Sequence, residues 1–208
     1  MNPVRRFGLM VLILGSLSFG SNLANGAAES TAEQTLAQIS GVIRSLNSNN
    51  FQFVQTRTLS ILSRPVISSG FLQYETEQGM CWIIQKPYLS VLKINQGGIR
   101  EVLPDGSERL LLPSGNPLFE TFSRVYMGVL LGDFQGLSQD LEMQPGVAAA
   151  GWDLKLIPLQ KTGMDWLQSI VLSGDAQSTH IVLHEKNGDR NELQFAPVQT
   201  IEATRQCW

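Results

Sequence analysis

Residues 51–87 constrain the fold most, because they hold three short runs of large apolar and β-branched residues separated by turns. Polar residues, among them Gln55, Arg57, Gln73 and Glu75, alternate with the apolar ones at a period near two. This period is typical of strands that place apolar side chains on one face of a sheet. The stretch holds no catalytic triad, phosphate loop or metal-ligand cluster. It therefore favours the binding of something apolar over catalysis.

The N-terminus is typical of an export signal. Arg5 and Arg6 precede an apolar run over 7–19, and small residues follow, so cleavage is expected after Gly26 or Ala28. The alternative is a retained membrane anchor. The run is interrupted by glycine and serine and is shorter than the roughly 18–20 apolar residues that span a bilayer, which favours cleavage.

The expected mature chain is a single domain over 29–208, preceded by a signal peptide over 1–28. Its first cysteine is Cys81, so no cysteine stands near the cleavage region to carry a lipid anchor. Without the two arginines of the signal, 13 Lys and Arg remain of 15, against 18 Asp and Glu, a net charge of −5. This mildly acidic balance argues against nucleic acid and against anionic membrane surfaces as partners.

The two cysteines, Cys81 and Cys207, would meet an oxidising compartment after export. They could form a bridge that pins the C-terminus to a strand. They could equally be one buried and one exposed thiol, since spacing in the sequence gives no distance between them.

Two helices are predicted. Ser30 and Thr31 are suited to an N-cap, with Glu33 at the capping-box spacing from Ser30, and apolar residues then recur on one helical face as far as Leu46. Asn116-Pro117 begins a second helix, which is apolar over a wide arc.

Short alternating segments bounded by glycine and proline predict about eleven strands without βαβ alternation. The fold class is α+β: one long antiparallel sheet, curled, with helices on its concave side. The strands are predicted at 51–58, 66–75, 80–86, 88–95, 99–103, 107–112, 139–144, 151–158, 168–174, 178–186 and 191–196, and a brief helical or turn segment at 163–166.

No catalytic or metal site is predicted. His180 and His184 have the spacing of helical zinc ligands, but they lie in a strand-like segment, where the i and i+4 side chains are more than about 10 Å apart. There is no Gly-x-Ser-x-Gly elbow. Two acidic pairs, Glu75 with Glu77 and Asp140 with Glu142, have the spacing of same-face strand residues but are expected to face water. The prediction is a protein that is not an enzyme and has no cofactor.

The chain resembles the LolA family of periplasmic lipoprotein carriers. The landmarks are a helix after the signal peptide, Phe53-Val54-Gln55-Thr56, Gly70-Phe71-Leu72, and Trp82 followed five residues later by Pro87. The resemblance implies an incomplete antiparallel β-barrel closed by helices around a hydrophobic cavity for acyl chains. It also implies a donor in the inner membrane and an acceptor in the outer membrane.

Carried over by position, five strand residues would face that cavity and three helical residues would form its lid. The pattern alone favours plain core residues over a cavity wall. One departure concerns an arginine that the family has between the glycine-led strand and the tryptophan; here the stretch reads Glu75-Thr76-Glu77, which leaves lid control and cargo open. The cavity residues would be Phe53, Leu72, Tyr74, Trp82 and Ile84, and the lid residues Phe119, Phe122 and Tyr126.

The predicted function is that of a soluble, monomeric periplasmic carrier for the acyl chains of lipoproteins or a related lipid-like cargo. It would move this cargo from the inner to the outer membrane. The alternative is a non-enzymatic periplasmic scaffold or sensor domain that uses the same fold to bind proteins.

Overall fold

The computed structural model describes residues 22–45, 48–146, 151–160, 164–175 and 177–199. These form two helices and eleven strands. In chain order they are α1 (Asn22–Ser45), β1 (Asn50–Thr58), β2 (Val66–Glu75), β3 (Gly79–Lys86), β4 (Ser90–Asn95), β5 (Gly98–Val102), β6 (Glu108–Pro113), α2 (Pro117–Leu131), β7 (Leu141–Gly146), β8 (Trp152–Pro158), β9 (Leu167–Gly174), β10 (Thr179–Glu185) and β11 (Arg190–Pro197).

All eleven strands belong to one open antiparallel sheet in the order β6-β5-β4-β3-β2-β1-β11-β10-β9-β8-β7. Two meanders, β1–β6 and β7–β11, therefore meet where β1 pairs with β11. The predicted class, an incomplete barrel with helices, is confirmed, and every strand bound lies within two residues of its predicted position. The prediction succeeded because alternation and turn residues are local signals.

The N-terminus of α2 follows the predicted capping. Pro117 opens the helix, and the carbonyl of Asn116 accepts the N–H of Glu120 at 3.1 Å. The start of α1 differs from the prediction, because the helix begins at Asn22 rather than at Ser30–Thr31. Leucine and alanine in the added segment are strong helix formers, and extending an existing helix costs little compared with nucleating one.

The main core lies between the concave face of the sheet and the two helices. Ile39 and Ile43 of α1 and Val125, Tyr126 and Val129 of α2 are buried in one cluster with the concave strand residues. Both helices therefore bury an apolar face against the sheet. The strand residues of the cluster include Phe51, Phe53, Leu72, Met80, Trp82, Leu154, Ile170, Leu172, Leu183, Leu193 and Phe195.

A second, smaller cluster lies on the opposite face of β3. Cys81 and Ile83 alternate with the inward-facing Met80 and Trp82, yet all four are buried. Cys81, Ile83 and Val91 pack together there. β3 is thus covered on both faces, whereas its neighbour β2 and the next strand, β1, are not.

The sheet ends at β6 on one side and at β7 on the other, and α2 is the segment that connects these two edge strands. Two polar contacts hold it in place. Arg124 of α2 pairs with Asp140 at 2.7 Å, and Arg44 Nη2 of α1 donates to the carbonyl of Gly132 at 3.3 Å. Asp140 therefore has a structural partner, unlike the water-facing carboxylate that the sequence predicts.

Candidate functional site

A cavity of about 360 Å³ lies between the concave face of the sheet and α2. Strands from both meanders and one side of α2 contribute to its wall. The lining consists of Gln55, Arg57, Trp82, Ile84, Leu92, Ile94, Ile99, Val125, Tyr126, Trp166, Leu167, Ile170, Leu183, Glu185 and Asn191.

An aromatic cluster centred on Trp82 forms one part of the wall. The Trp82 ring lies 4.6 Å from that of Phe53, 6.0 Å from that of Phe195 and 6.2 Å from that of Tyr126, measured between centroids. These separations and the tilted or edge-on angles suit favourable aromatic pairs. Trp82 thereby joins strands β1 and β11 to helix α2.

Gly70 makes the contact between Phe53 and Trp82 possible. Phe53 on β1 lies opposite Gly70 on β2, and Trp82 lies on β3, one strand further. Strands two apart are separated by about 9–10 Å, so the two rings can meet only over a position of β2 that carries no side chain. A Cβ on Gly70 would also lie 1.8 Å from the carbonyl oxygen of Ile83. Glycine is required here by close approach.

The cavity is polar at one end. Gln55 Nε2 donates to Asn191 Oδ1 at 2.9 Å, and Ser68 Oγ donates to Gln55 Oε1 at 3.1 Å. Arg57 and Glu185 are the charged residues of the described lining. An apolar wall with a few polar groups at one end suits an amphipathic ligand whose tail enters first.

Tyr126 is the ionisable group of α2 that faces this cavity. Burial raises the pKa of its phenol above the usual range, and the positive charge of Arg57 opposes this effect without cancelling it. The phenol therefore stays neutral, which keeps this side of the cavity uncharged.

Three of the eight predicted cavity and lid residues, Trp82, Ile84 and Tyr126, line the cavity. Phe53, Leu72 and Phe119 are buried in the core around it. Tyr74 is half-buried and is not part of the lining. The side chain of Phe122 lies outside the described residues.

Sequence reasoning did not place several lining residues, chiefly Arg57, Leu92, Ile94, Trp166, Ile170 and Leu183. The alternation in β4, β9 and β10 identifies which of them face inward. Their convergence on one cavity depends on the strand order, which alternation does not encode. Arg57 stands out because it supplies an arginine beside α2, although the stretch Glu75-Thr76-Glu77 has none.

The candidate metal-binding and catalytic side chains do not converge on one site within the described residues. Among the described residues no group of three His, Cys, Asp or Glu is placed to hold a metal ion. His180 and His184 lie in strand β10 as predicted, and His180 Nε2 is 3.6 Å from Glu192 Oε2. Neither histidine lines the cavity.

Cys81 is fully buried on the outer face of β3 and is disulfide-bonded. Cys207, the second cysteine of the chain, lies outside the described residues. A bridge between the two is one of the alternatives that the sequence leaves open. No described helix is long and apolar enough to cross a membrane.

Comparison with known proteins finds similar solved structures but no matching family model and no matching curated protein. A LolA superfamily protein from Nitrosomonas europaea is 10% identical, covers 83% of this chain and 96% of its own, and has a TM-score of 0.43. LprF from Mycobacterium bovis is 14% identical, covers 83% of this chain and 97% of its own, and has a TM-score of 0.38. The resemblance indicated by the sequence is thus found again among solved structures.

Proposed function

We propose that this chain is an exported carrier that binds acyl chains non-covalently in its cavity. Its cargo is a lipoprotein or a related lipid-like molecule, which it moves from the inner to the outer membrane. The observation that supports the proposal is the cavity itself, with an apolar wall, a polar end and a helix that connects the two open edges of the sheet.

Transfer between apolar sites fits this geometry. Each buried methylene contributes about 0.8 kcal/mol, so even part of an acyl chain supplies enough free energy to hold the cargo. A volume of about 360 Å³ lies near the lower end of the usual range for ligand sites, about 300–1,000 Å³. A long or multiple chain would therefore require α2 to move, and that movement gives a route for release.

The first experiment identifies the cargo. The protein is expressed with its signal, purified without detergent, and examined by native mass spectrometry and lipid extraction. Stoichiometric lipid or lipoprotein supports the carrier. A protein that is empty, and whose tryptophan fluorescence is unchanged by added acyl ligands, contradicts the carrier and favours the scaffold alternative.

A cavity-filling variant tests the location of binding. Ile84→Trp places a large side chain in the cavity, because Ile84 lines it and is only half-buried. Affinity for a fluorescent fatty acid is expected to fall by about tenfold or more, since the added ring occupies volume that the tail needs. Val54→Trp, at an exposed position on the other face of β1, is the matched control and should bind normally. Equal affinities of both variants would place the binding site elsewhere.

A further inference from the structure

Two neighbouring hairpin loops stand beside the mouth of the cavity. Loop 59–65 joins β1 to β2, and loop 87–89 joins β3 to β4. Ser69 near the start of β2 pairs with Lys86 at the end of β3, so the two loops project side by side from the same end of the strands. Arg57 and Ile84 of the cavity lining lie within three residues of them. We call loops 59–65 and 87–89 the rim loops.

The rim loops expose large apolar side chains at their tips. Ile61 is 87% exposed, Tyr88 82% and Leu89 64%, and Leu62 is also exposed. Single exposed apolar residues are ordinary, but a group of them on adjacent loops beside a cavity marks an interaction surface.

Two positively charged side chains, Arg64 and Lys86, flank these tips. Both are exposed, and neither side chain forms a hydrogen bond or ion pair with any other described residue. The sequence has no Asp or Glu between Glu33 and Glu75, and none between Glu77 and Glu101. The net charge of −3 is therefore carried by other parts of the chain.

One carboxylate that lies beside the rim loops already accepts a hydrogen bond from the backbone of loop 59–65. Asp189, in the turn between β10 and β11, accepts the N–H of Ser60 at 2.7 Å. This bond holds the carboxylate ionised by lowering the pKa of Asp189. A further bond from the N–H of Leu62 to the carbonyl of Leu59, at 2.9 Å, shapes the tip. The loop is thus preformed, and little conformational entropy is lost on docking.

We propose that the rim loops are a docking surface for a lipid bilayer that contains anionic lipids. Tyrosine side chains prefer the headgroup level, aliphatic side chains enter the acyl boundary, and unpaired Lys and Arg are attracted to anionic headgroups. With so few anchoring groups the contact is weak and reversible. Docking would place the cavity mouth against the membrane; only this consequence rests on the proposed carrier function.

Vesicle flotation tests the proposal. The exported, processed protein is mixed with vesicles of phosphatidylcholine, either alone or with added phosphatidylglycerol. Binding is expected only with phosphatidylglycerol, and it should weaken in high salt because exposed charges are screened. Equal binding to both kinds of vesicle, or none to either, overturns the proposal.

Two double variants separate the apolar contribution to membrane binding from the electrostatic one. Ile61→Ser with Tyr88→Ser, and in a second protein Arg64→Gln with Lys86→Gln, should each lower the partition coefficient by about tenfold or more. The matched control is Leu110→Ser with Leu111→Ser, which removes two exposed apolar residues from edge strand β6. An equal loss in the control would contradict a role of the rim loops.

A fatty-acid binding measurement in solution distinguishes loss of membrane docking from loss of the carrier function. The rim-loop variants should bind the fatty acid normally, because their side chains do not line the cavity. Rim-loop variants that still float normally would overturn the bilayer assignment.

Discussion

At the scale of single residues, the cavity depends on where side chains are absent as much as on where they are present. Gly70 leaves a gap on β2 across which Phe53 and Trp82 make contact at 4.6 Å. The sequence shows Gly70-Phe71-Leu72 as a landmark without its reason. The reason is steric and becomes visible only when β1, β2 and β3 are placed side by side.

Tyr126 makes stability depend on pH in the alkaline range. Burial raises the pKa of its phenol in the folded state, whereas in the unfolded chain it ionises near pH 10. Its contribution to stability is therefore complete below about pH 10 and decreases as the pH rises above that value, by up to about 1.4 kcal/mol per unit.

The variant Tyr126→Phe tests this assignment. We expect the free energy of unfolding of the variant to fall less steeply between about pH 9 and pH 11 than that of the wild type. Urea denaturation at several pH values measures both slopes, and ionisation of all other groups cancels in the comparison. Identical slopes would mean that Tyr126 ionises freely in the folded protein.

At the scale of elements, α2 is held by close packing at Gly128. A Cβ at this position would lie 2.9 Å from Cγ and Cδ1 of Leu137, a fully buried side chain in the segment that leads into β7. Glycine within a helix costs about 1 kcal/mol relative to alanine. The close contact with Leu137 explains why a glycine is nevertheless present.

Gly128→Ala should lower the free energy of unfolding by up to about 2 kcal/mol, because the overpacking cost of about 1–3 kcal/mol exceeds the gain in helix propensity of about 1 kcal/mol. Gly41→Ala in α1 is the matched control. Gly41 is exposed and nothing would approach its Cβ within 4 Å, so this variant should gain about 0.5–1 kcal/mol. Chemical denaturation gives both values, and a stabilised Gly128→Ala would contradict tight packing of α2 against Leu137.

At the scale of the whole molecule, the strands were predictable from the sequence. The set of side chains that meet in the cavity was not. Alternation located all eleven strands and the inward-facing Trp82 and Ile84, because the side-chain period of a strand is local. The role of Arg57 depends on the curvature that brings β1 against α2, which is a long-range property. The predicted start of α1 was wrong, because Ser30 and Thr31 are good N-cap residues but the helix begins before them, at Asn22.

The net charge can be read from the sequence, but the positions of the charged side chains depend on the fold. The excess of acids over bases predicts repulsion from anionic membranes, and this holds for the molecule on average. The fold separates the charges, so that Arg64 in loop 59–65 and Lys86 at the end of β3 lie at the same end of the sheet, where the carboxylate of Asp189 is engaged by the N–H of Ser60. Net charge alone therefore does not determine which surface a protein can approach.

The bridge that the sequence allows between Cys81 and Cys207 can be tested by replacing Cys207, the cysteine that does not lie in β3. A bridge that closes a loop of roughly 100 residues or more stabilises a protein by about 4–5 kcal/mol in the chain-entropy account. Cys207→Ser should therefore lower the free energy of unfolding by about 2–5 kcal/mol, and it should release one thiol that reacts with alkylating agents after denaturation. Unchanged stability, with no new thiol, would exclude this pairing.

Cargo uptake should change the molecule unevenly, because its two halves are joined differently. At the centre, β1 and β11 are paired along their whole length, whereas between the edge strands β6 and β7 the connection is made by α2. Since the cavity of about 360 Å³ is small for a long acyl chain, we expect uptake to displace α2 while the central strands stay in place.

Hydrogen exchange with and without a fatty acid measures this displacement: amides of residues 117–131 should change their protection and those of β1 and β11 should not. The Ile84→Trp variant, in which the cavity is filled, should show no change on adding the same ligand. A uniform change across the sheet would instead mean that the whole barrel expands, and α2 would then not be the moving part.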